Sequence, residues 1–578
     1  MNRFSLLSIL TTLVLFIFCQ SYGKSSKNGN TVTFCNPLNL SYRFSLDNPS
    51  RREGADPTII QFKGLYYLFL SKSGGYFCSS DLLNWKLINT NDLPLEDYAP
   101  TAITIGDSVY FLACSVDKAK IYATNDPSTG KWNVASEVLP FAVLDPALFQ
   151  DDDKRLYLYY GCSDNNPIQV VELDPKNRFK IIGKNIPCIY SNPKVYGWEQ
   201  KGDYNDQPGN PWIEGSWMNK VGEKYYLQYA APGTEYKSYS DGVYVSDGPT
   251  GPFKISHNNP FSYKPEGFIA GAGHGSTFRD IYGNYWHIAT MTISQKHQFE
   301  RRIGLFPVFL DKGGEMHANT GFGDYPITLP HKKISNPIDF FTGWMMLSYN
   351  KPVEVSSQLD GFPGSYAVDE NIKTYWSAQS GKKGEWIIVN LLNTCTIKAI
   401  QINYAEQECN IHGRLSEIQH KYLIEYSMDR KNWQVLIDKS SNTTDIPHDY
   451  VELKKSVNAK YIRLTNYYVP DGNFAISGLR IFGKGFGPLP ERVKQLKACR
   501  QKNDPRVVRL EWEKVPGAIG YNIRYGTNKS KLYQNYQIYS NNSVTIRSLN
   551  SNLDYFFSIE CFNENGITKG NEIVTSLF

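Results

Sequence analysis

The chain lacks several features that would fix a function class at once. None of its cysteines are spaced Cys-x-x-Cys, and nine of them follow Cys19, an odd number. Neither a zinc site nor a disulfide framework is therefore expected. Net charge is weak, +5 over 578 residues, and no module concentrates Lys and Arg, which argues against a nucleic-acid partner. Beyond the N-terminus no apolar run is long enough to span a membrane. No amphipathic helical window stands out either, so the chain reads as all-β. Cys78, Cys114 and Cys162 fall in strand-rich segments and read as small buried hydrophobes, while Cys395 and Cys409 are a pair whose bonding the sequence leaves open.

What is abundant is aromatic: 40 Tyr and 11 Trp in a chain too long for one ordinary core. That composition suits surfaces that stack on neutral ligands such as sugars, and it equally suits β-sheet cores. The N-terminus reads Met1-Asn2-Arg3, an apolar run from Phe4 to Phe18, then Ser21-Tyr22-Gly23, the layout of a secretory signal peptide cleaved after Gly23. Cys19 offers an alternative, lipid anchoring, against which Phe18 is a poor fit. An exported protein is expected, periplasmic or extracellular.

An internal repeat organises the first 290 residues. Its copies open at Asp56-Pro57-Thr58, Ala99-Pro100-Thr101, Asp145-Pro146-Ala147, Glu214-Gly215-Ser216 and His274-Gly275-Ser276. Eleven residues after each opening comes an aromatic-rich strand, such as Tyr67-Leu68-Phe69 or Tyr225-Tyr226-Leu227, preceded by a Gly or Asp turn. A fixed offset through five copies predicts a radial or stacked array. A solenoid or a sandwich would leave unexplained why ionisable residues recur at one equivalent position. A five-bladed β-propeller explains it, with Asp56, Asp145, Glu214 and His274 facing one axis.

From about Trp344 the pattern changes. Thr374-Tyr375-Trp376-Ser377, Glu385 through Leu391, Lys460-Tyr461-Ile462-Arg463-Leu464 and Leu479 through Gly483 resemble the discoidin (factor 5/8 type C) domain, a jelly roll. The resemblance implies glycan binding through loops at one end, and a purely structural role stands beside it. Further on, Leu510-Glu511-Trp512, Gly520 through Tyr525 and Tyr555 through Ile559 resemble a fibronectin type III sandwich, with Trp512 buried, Tyr555 at the tyrosine corner and a spacer's role. The expected organisation is a signal peptide over 1–23, a propeller over 24–343, a discoidin-like jelly roll over 344–486 and a fibronectin type III-like sandwich over 487–578.

Two carboxyl groups flanking a sugar are the minimum for glycoside hydrolysis, and a third nearby can keep one of them protonated. Asp56, Asp145 and Glu214 supply that set. Ala55-Asp56-Pro57-Thr58, Leu144 through Phe149 and Ile213-Glu214-Gly215-Ser216-Trp217 resemble the three acidic motifs of glycoside hydrolase family 43. The resemblance implies an inverting hydrolase with Asp56 as general base, Glu214 as general acid, and Asp145 tuning and orienting Glu214. It also implies that Arg301 contacts the sugar, and that His274 lies near a calcium or sodium ion, or water, on the axis. Bland readings stand beside these: Asp before Pro is a common turn device, His274 is equally read as a satisfied core histidine, and Arg301 or Arg302 as a solvated charge. The stretch from Ser191 to Pro211, with Trp198 and the adjoining Trp212, is read either as an aromatic wall for the pocket or as a cover for a blade edge.

The function expected from the family resemblance is release of terminal sugars from plant poly- or oligosaccharide. α-L-Arabinofuranosidase comes first, then β-xylosidase, then β-galactofuranosidase or exo-galactanase. A different class, a non-catalytic glycan-binding or adhesion protein, would be marked by loss of one of the three acids, and all three are present.

Overall fold

The computed structural model describes residues 32–576 apart from 416. The signal peptide and Cys19 lie outside the described residues. Among those described there is no α-helix; strands, turns and five short 3-10 segments make up the chain. No described helix is long and apolar enough to cross a membrane.

Five four-stranded antiparallel sheets form the first unit. They begin at Thr58–Phe62, Thr101–Ile105, Ala147–Gln150, Glu214–Val221 and Ala270–Arg279, and we number them blades one to five. Each first strand pairs with the aromatic-rich strand predicted from the repeat, for example Thr58 opposite Phe69 and Ala147 opposite Tyr159. The first strands also neighbour one another in sequence order, and the fifth returns to the first, which closes a ring about an axis. Radial closure shelters the strand edges that an open sheet would expose. Large side chains fill the wedges between blades: Phe69, Tyr76, Phe111 and Trp132 form one cluster, and Tyr159, Trp198, Leu227 and Tyr229 another.

The ends of the ring are stitched by the chain's N-terminal segment. Val32–Phe34 pairs with Ile327–Leu329. The buried Asn36 amide then donates to the carbonyls of Leu305 and Gly323 and accepts from Leu305 N–H. A buried amide with three partners carries no desolvation penalty and fixes the register of blade five against the N-terminal segment.

A second β unit follows, built on the long strands Trp386–Tyr404, His448–Tyr468 and Ala475–Gly485 around a core containing Trp376. The third is a sandwich of a three-stranded and a five-stranded sheet. Trp512 is buried edge-on to Tyr521, and the Tyr555 hydroxyl accepts the N–H of Asn550, the geometry of a tyrosine corner.

Neither unit hangs on a linker, which corrects the expected spacer role. Buried Arg52 forks onto Asp445 at 2.6 and 2.9 Å. Buried Arg480 holds Glu370 at 3.0 and 2.9 Å and also donates to the Asp324 carbonyl. The sandwich stacks Tyr533 on His317 at 3.8 Å between centroids, and Lys531 reaches Asp311 and Glu315 at 2.6 and 2.9 Å. Charges buried this thoroughly are tolerated only when fully paired, so these contacts fix how the units sit on the propeller.

Candidate active site

The opening residue of each repeat lies at the inner end of its blade, and its backbone is unusual. Asp56, Ala99, Asp145 and His274 have φ of 52°, 45°, 47° and 41°, the left-handed region. In blade four the turn falls one residue later, on Gly215 at φ 60°. A side chain there would meet the His274 ring at 2.6 Å, so only glycine fits. The left-handed step rotates each opening side chain off the strand and into the axis.

A side chain from the preceding blade latches each of these turns. Thr290 Oγ1 accepts the N–H of Asp56 at 2.8 Å, and Ser71 Oγ that of Ala99 at 2.7 Å. Cys114 Sγ accepts the N–H of Asp145 at 3.0 Å, and Asp241 Oδ1 that of His274 at 2.7 Å. Cys162 breaks the pattern by donating to the Glu214 carboxylate itself, at 3.2 Å.

On the axis the four ionisable openings meet. His274 Nδ1 stands 3.3 Å from Asp56 Oδ1 and 3.5 Å from Asp145 Oδ2. Asp56 also takes Ser71 Oγ at 2.5 Å on its other oxygen and lies 3.4 Å from Arg301. Burial alone would raise its pKa. Arg301 and His274, with hydrogen bonds from Ser71 and the Ala99 N–H, outweigh burial and hold it below the usual carboxylate range.

Glu214 is in the opposite condition. Burial, then repulsion from Asp145, push it up to about 7, against the opposing pull of His274 and hydrogen bonds from Tyr239 and Cys162. Asp145 is also raised, by burial and by Asp56, although His274, Cys114 and the Gly215 N–H favour its charge. For His274, burial works against the imidazolium, but Asp56, Asp145 and Glu214 together raise its pKa. The site therefore favours the charged form of Asp56, the protonated form of Glu214 and the protonated form of His274 between the carboxylates. Two carboxyl groups pushed apart in proton affinity are what acid–base cleavage of an acetal needs.

Of the other residues singled out from sequence, Arg301 is buried at the site. Its Nη1 lies between Asp56 and Thr234 Oγ1 at 3.4 and 3.3 Å, and its guanidinium sits 5.1 Å over Phe299. Arg302 is not a solvated charge but an interface residue, donating to His448 and to the Arg52 carbonyl. Trp212 is 41% exposed, two residues before Glu214, with its N–H on the Pro232 carbonyl. Trp198 is a correction. Its ring is wholly buried against Tyr229 and Gly242, so it offers a sugar no face. The stretch from 191 to 211 carries the third unit: Gly197 N–H donates to the Leu549 carbonyl, Ser551 N–H to Val195, and Arg506 to Pro193.

Cys114 and Cys162 correct the reading of these cysteines as plain hydrophobes, since both thiols bond catalytic-site carboxylates at 3.2 Å. Tyr239, Ser71 and Asp241 were not singled out from sequence at all. The offset from the repeat start held a signal for Ser71, which like Cys114 lies fifteen residues after an opening position. Nothing comparable marks Tyr239.

The expected calcium does not find a cage here. Calcium takes about six to eight oxygens, whereas His274 turns Nδ1 to two carboxylates that are already engaged. Among the described residues, Asp145, Cys162 and Glu214 gather ligand atoms within 4.8 Å of one another, but one of these is a thiol. These residues do not fit calcium.

Residues 47–314 match the family model Glycosyl hydrolases family 43, and residues 352–475 match the F5/8 type C domain. A β-D-galactofuranosidase of Aspergillus niger is 26% identical over 274 residues, 40% of this chain and 72% of that protein. An extracellular endo-α-(1→5)-L-arabinanase of Bacillus subtilis is 25% identical over 271 residues, 39% of this chain and 53% of that protein. Among solved structures, a thermostable family-43 glycoside hydrolase aligns over 53% of this chain and 98% of its own, at 19% identity and a TM-score of 0.41. The propeller thus carries the match to glycosyl hydrolases family 43 and the second unit the match to the F5/8 type C domain, and the protein is a glycoside hydrolase.

Proposed function

We propose that the protein is an exported, exo-acting, inverting hydrolase that removes terminal sugars from plant polysaccharide, with α-L-arabinofuranoside as the preferred terminal residue. The observation that carries the mechanism is the meeting of Asp56, Asp145 and Glu214 with His274 on one axis, in surroundings that lower the proton affinity of Asp56 and raise that of Glu214. Asp56 takes a proton from water as its oxygen attacks the anomeric carbon, and Glu214 gives its proton to the departing glycosidic oxygen. The C–O bond to the leaving group breaks as the new C–OH bond forms on the opposite face. Asp56 ends protonated and Glu214 ionised, and solvent resets both. Such displacement calls for carboxyls roughly 6.5–9.5 Å apart, with room for water. Asp145 keeps Glu214 protonated by like-charge repulsion and takes its Gly215 N–H at 3.3 Å, which orients the turn that carries it. Arg301, buried beside the base, is placed to bind the terminal sugar's hydroxyls.

The names of relatives support the class of substrate: a β-D-galactofuranosidase, a β-xylosidase and two endo-arabinanases. β-Xylosidase and β-galactofuranosidase or exo-galactanase remain the alternatives on this fold. The F5/8 type C domain would hold glycan, and the third unit is a fibronectin type III module that braces the 191–211 stretch. Export is supported by relatives named extracellular. A screen of p-nitrophenyl arabinofuranoside, xyloside, galactofuranoside and galactoside, with NMR of the first-formed anomer, tests the reading. Hydrolysis of the arabinofuranoside with inversion is expected. A retained anomer overturns the mechanism, and preference for another glycoside reassigns the sugar. Activity that survives Glu214→Gln overturns the acid assignment.

A further inference from the structure

The inter-blade latches differ in one atom. At the base the donor is an oxygen of the same blade, Ser71 Oγ, 2.5 Å from Asp56 Oδ2 while it also holds the Ala99 N–H of the next blade. At the other two carboxylates it is sulfur: Cys114 Sγ is 3.2 Å from Asp145 Oδ1, and Cys162 Sγ is 3.2 Å from Glu214 Oε2. All three follow the second strand of their blade. The backbone N–H of Ser71 bonds Ala55, that of Cys114 bonds Tyr98, and that of Gly161, just before Cys162, bonds Leu144. Ser71 and Cys114 thus occupy one structural position and Cys162 the next residue along in its own blade, so the bend after the second strand carries oxygen once and sulfur twice.

A hydroxyl is a strong donor at short range, and a thiol is a weak one at long range. A strong donor to a carboxylate stabilises its charged form, and a weak donor leaves the proton competitive. We propose that the latch atom sorts base from acid: oxygen at Ser71 commits Asp56 to the charged base, and sulfur at Cys162 lets Glu214 retain a proton. This inference rests on the acid–base reading above, and it assigns positioning roles to Ser71 and Cys162.

Other groups face the same carboxyls and set the background. Glu214 meets Asp145, His274 and Tyr239 besides Cys162. Asp56 meets Arg301 and His274 besides Ser71. Asp145 meets His274 and Asp56 besides Cys114. None of these changes when a single latch atom is exchanged, so an S-for-O swap reads the latch alone.

The experiment is the pH profile of kcat/KM for the full-length protein and its Cys162→Ser, Cys162→Ala and Ser71→Cys variants on the aryl glycoside it cleaves best. The basic limb reports the acid, and the acidic limb reports the base. Cys162→Ser installs a stronger donor, so the basic limb should move to lower pH by roughly half to one unit. Cys162→Ala removes the donor and should move it to higher pH. Ser71→Cys should raise the acidic limb by a similar amount. A folding defect lowers amplitude without moving limbs in opposite directions, so the Ser and Ala pair separates tuning from damage. Limbs that stay put in both Cys162 variants, or that move the same way, overturn the proposal while leaving the acid and base assignments intact. If Glu214→Gln retains activity, it is instead the underlying reading that fails.

Discussion

The hydroxyl of Tyr239 donates to Oε1 of Glu214, and it does so from a fully buried ring. Tyr239 lies on the same blade as Glu214, so it restrains the acid from the side away from Cys162. Removing this donor in Tyr239→Phe takes away a bond that favours the carboxylate. The basic limb of kcat/KM should shift to higher pH, and the rate at the optimum should fall about tenfold through lost positioning. A pH-rate profile of the purified variant checks both.

Asp145→Asn removes the like charge that burial magnifies at Glu214. The acid should then ionise at lower pH, moving the basic limb downward, and kcat should drop by roughly two orders of magnitude. Asp56→Asn should instead abolish hydrolysis across the whole pH range while leaving binding of the free sugar, measured by calorimetry, largely intact. Similar pH-rate curves for the two variants would contradict the separate roles.

His274 points its Nδ1 between Asp56 and Asp145, at 3.3 and 3.5 Å. Exhaustive chelation with EDTA is accordingly expected to leave most of the activity, read as kcat on the best aryl glycoside. Loss of activity that added calcium restores, and that His274→Ala abolishes, would assign an ion to the axis instead.

Stability should decline toward alkaline pH. Glu199 and Glu214 are both raised to about 7 by burial in the folded chain. A carboxyl whose folded pKa is raised contributes stability fully below its unfolded value, near 4.5, and loses it as pH climbs to about 7. Glu199 takes Tyr229 at 2.6 Å under the 191–211 stretch, outside the catalytic group. Glu199→Gln should therefore flatten part of the fall in Tm between pH 5 and 8, as read by differential scanning calorimetry.

Docking of the second unit depends on Arg480, which is buried with Glu370 at 3.0 and 2.9 Å. Arg480→Met leaves Glu370 buried without its counter-charge and should cost about 3–5 kcal/mol. The double variant with Glu370→Leu should recover most of that, measured by chemical denaturation.

The propeller was legible because its signal is repetitive. Openings at Asp56, Asp145, Glu214 and His274 recur with a constant offset to an aromatic strand, and the structure sets all four on one axis. Trp198 misled because a Trp in a long connection looks the same whether it faces a cleft or, as here, Tyr229. The thiols misled for a related reason. A cysteine's hydrogen bond to a carboxylate depends on where the neighbouring blade ends, a long-range fact that leaves no local pattern. The docking of the second unit on the propeller left no sequence signal because it rests on single buried arginines, Arg52, Arg302 and Arg480, scattered through the chain.

The left-handed turns have a thermodynamic consequence. A non-glycine residue in that conformation costs about 1–2 kcal/mol, and Asp and His bear it better than Ala. The ring thus concentrates strain where the chemistry occurs, so the catalytic centre is purchased with stability that the blades and docked units must restore. Ala99, at φ 45°, bears that strain without an ionisable group to justify it. Ala99→Gly should accordingly make the enzyme harder to melt and no slower, a gain in robustness available at the one opening position that chemistry left free.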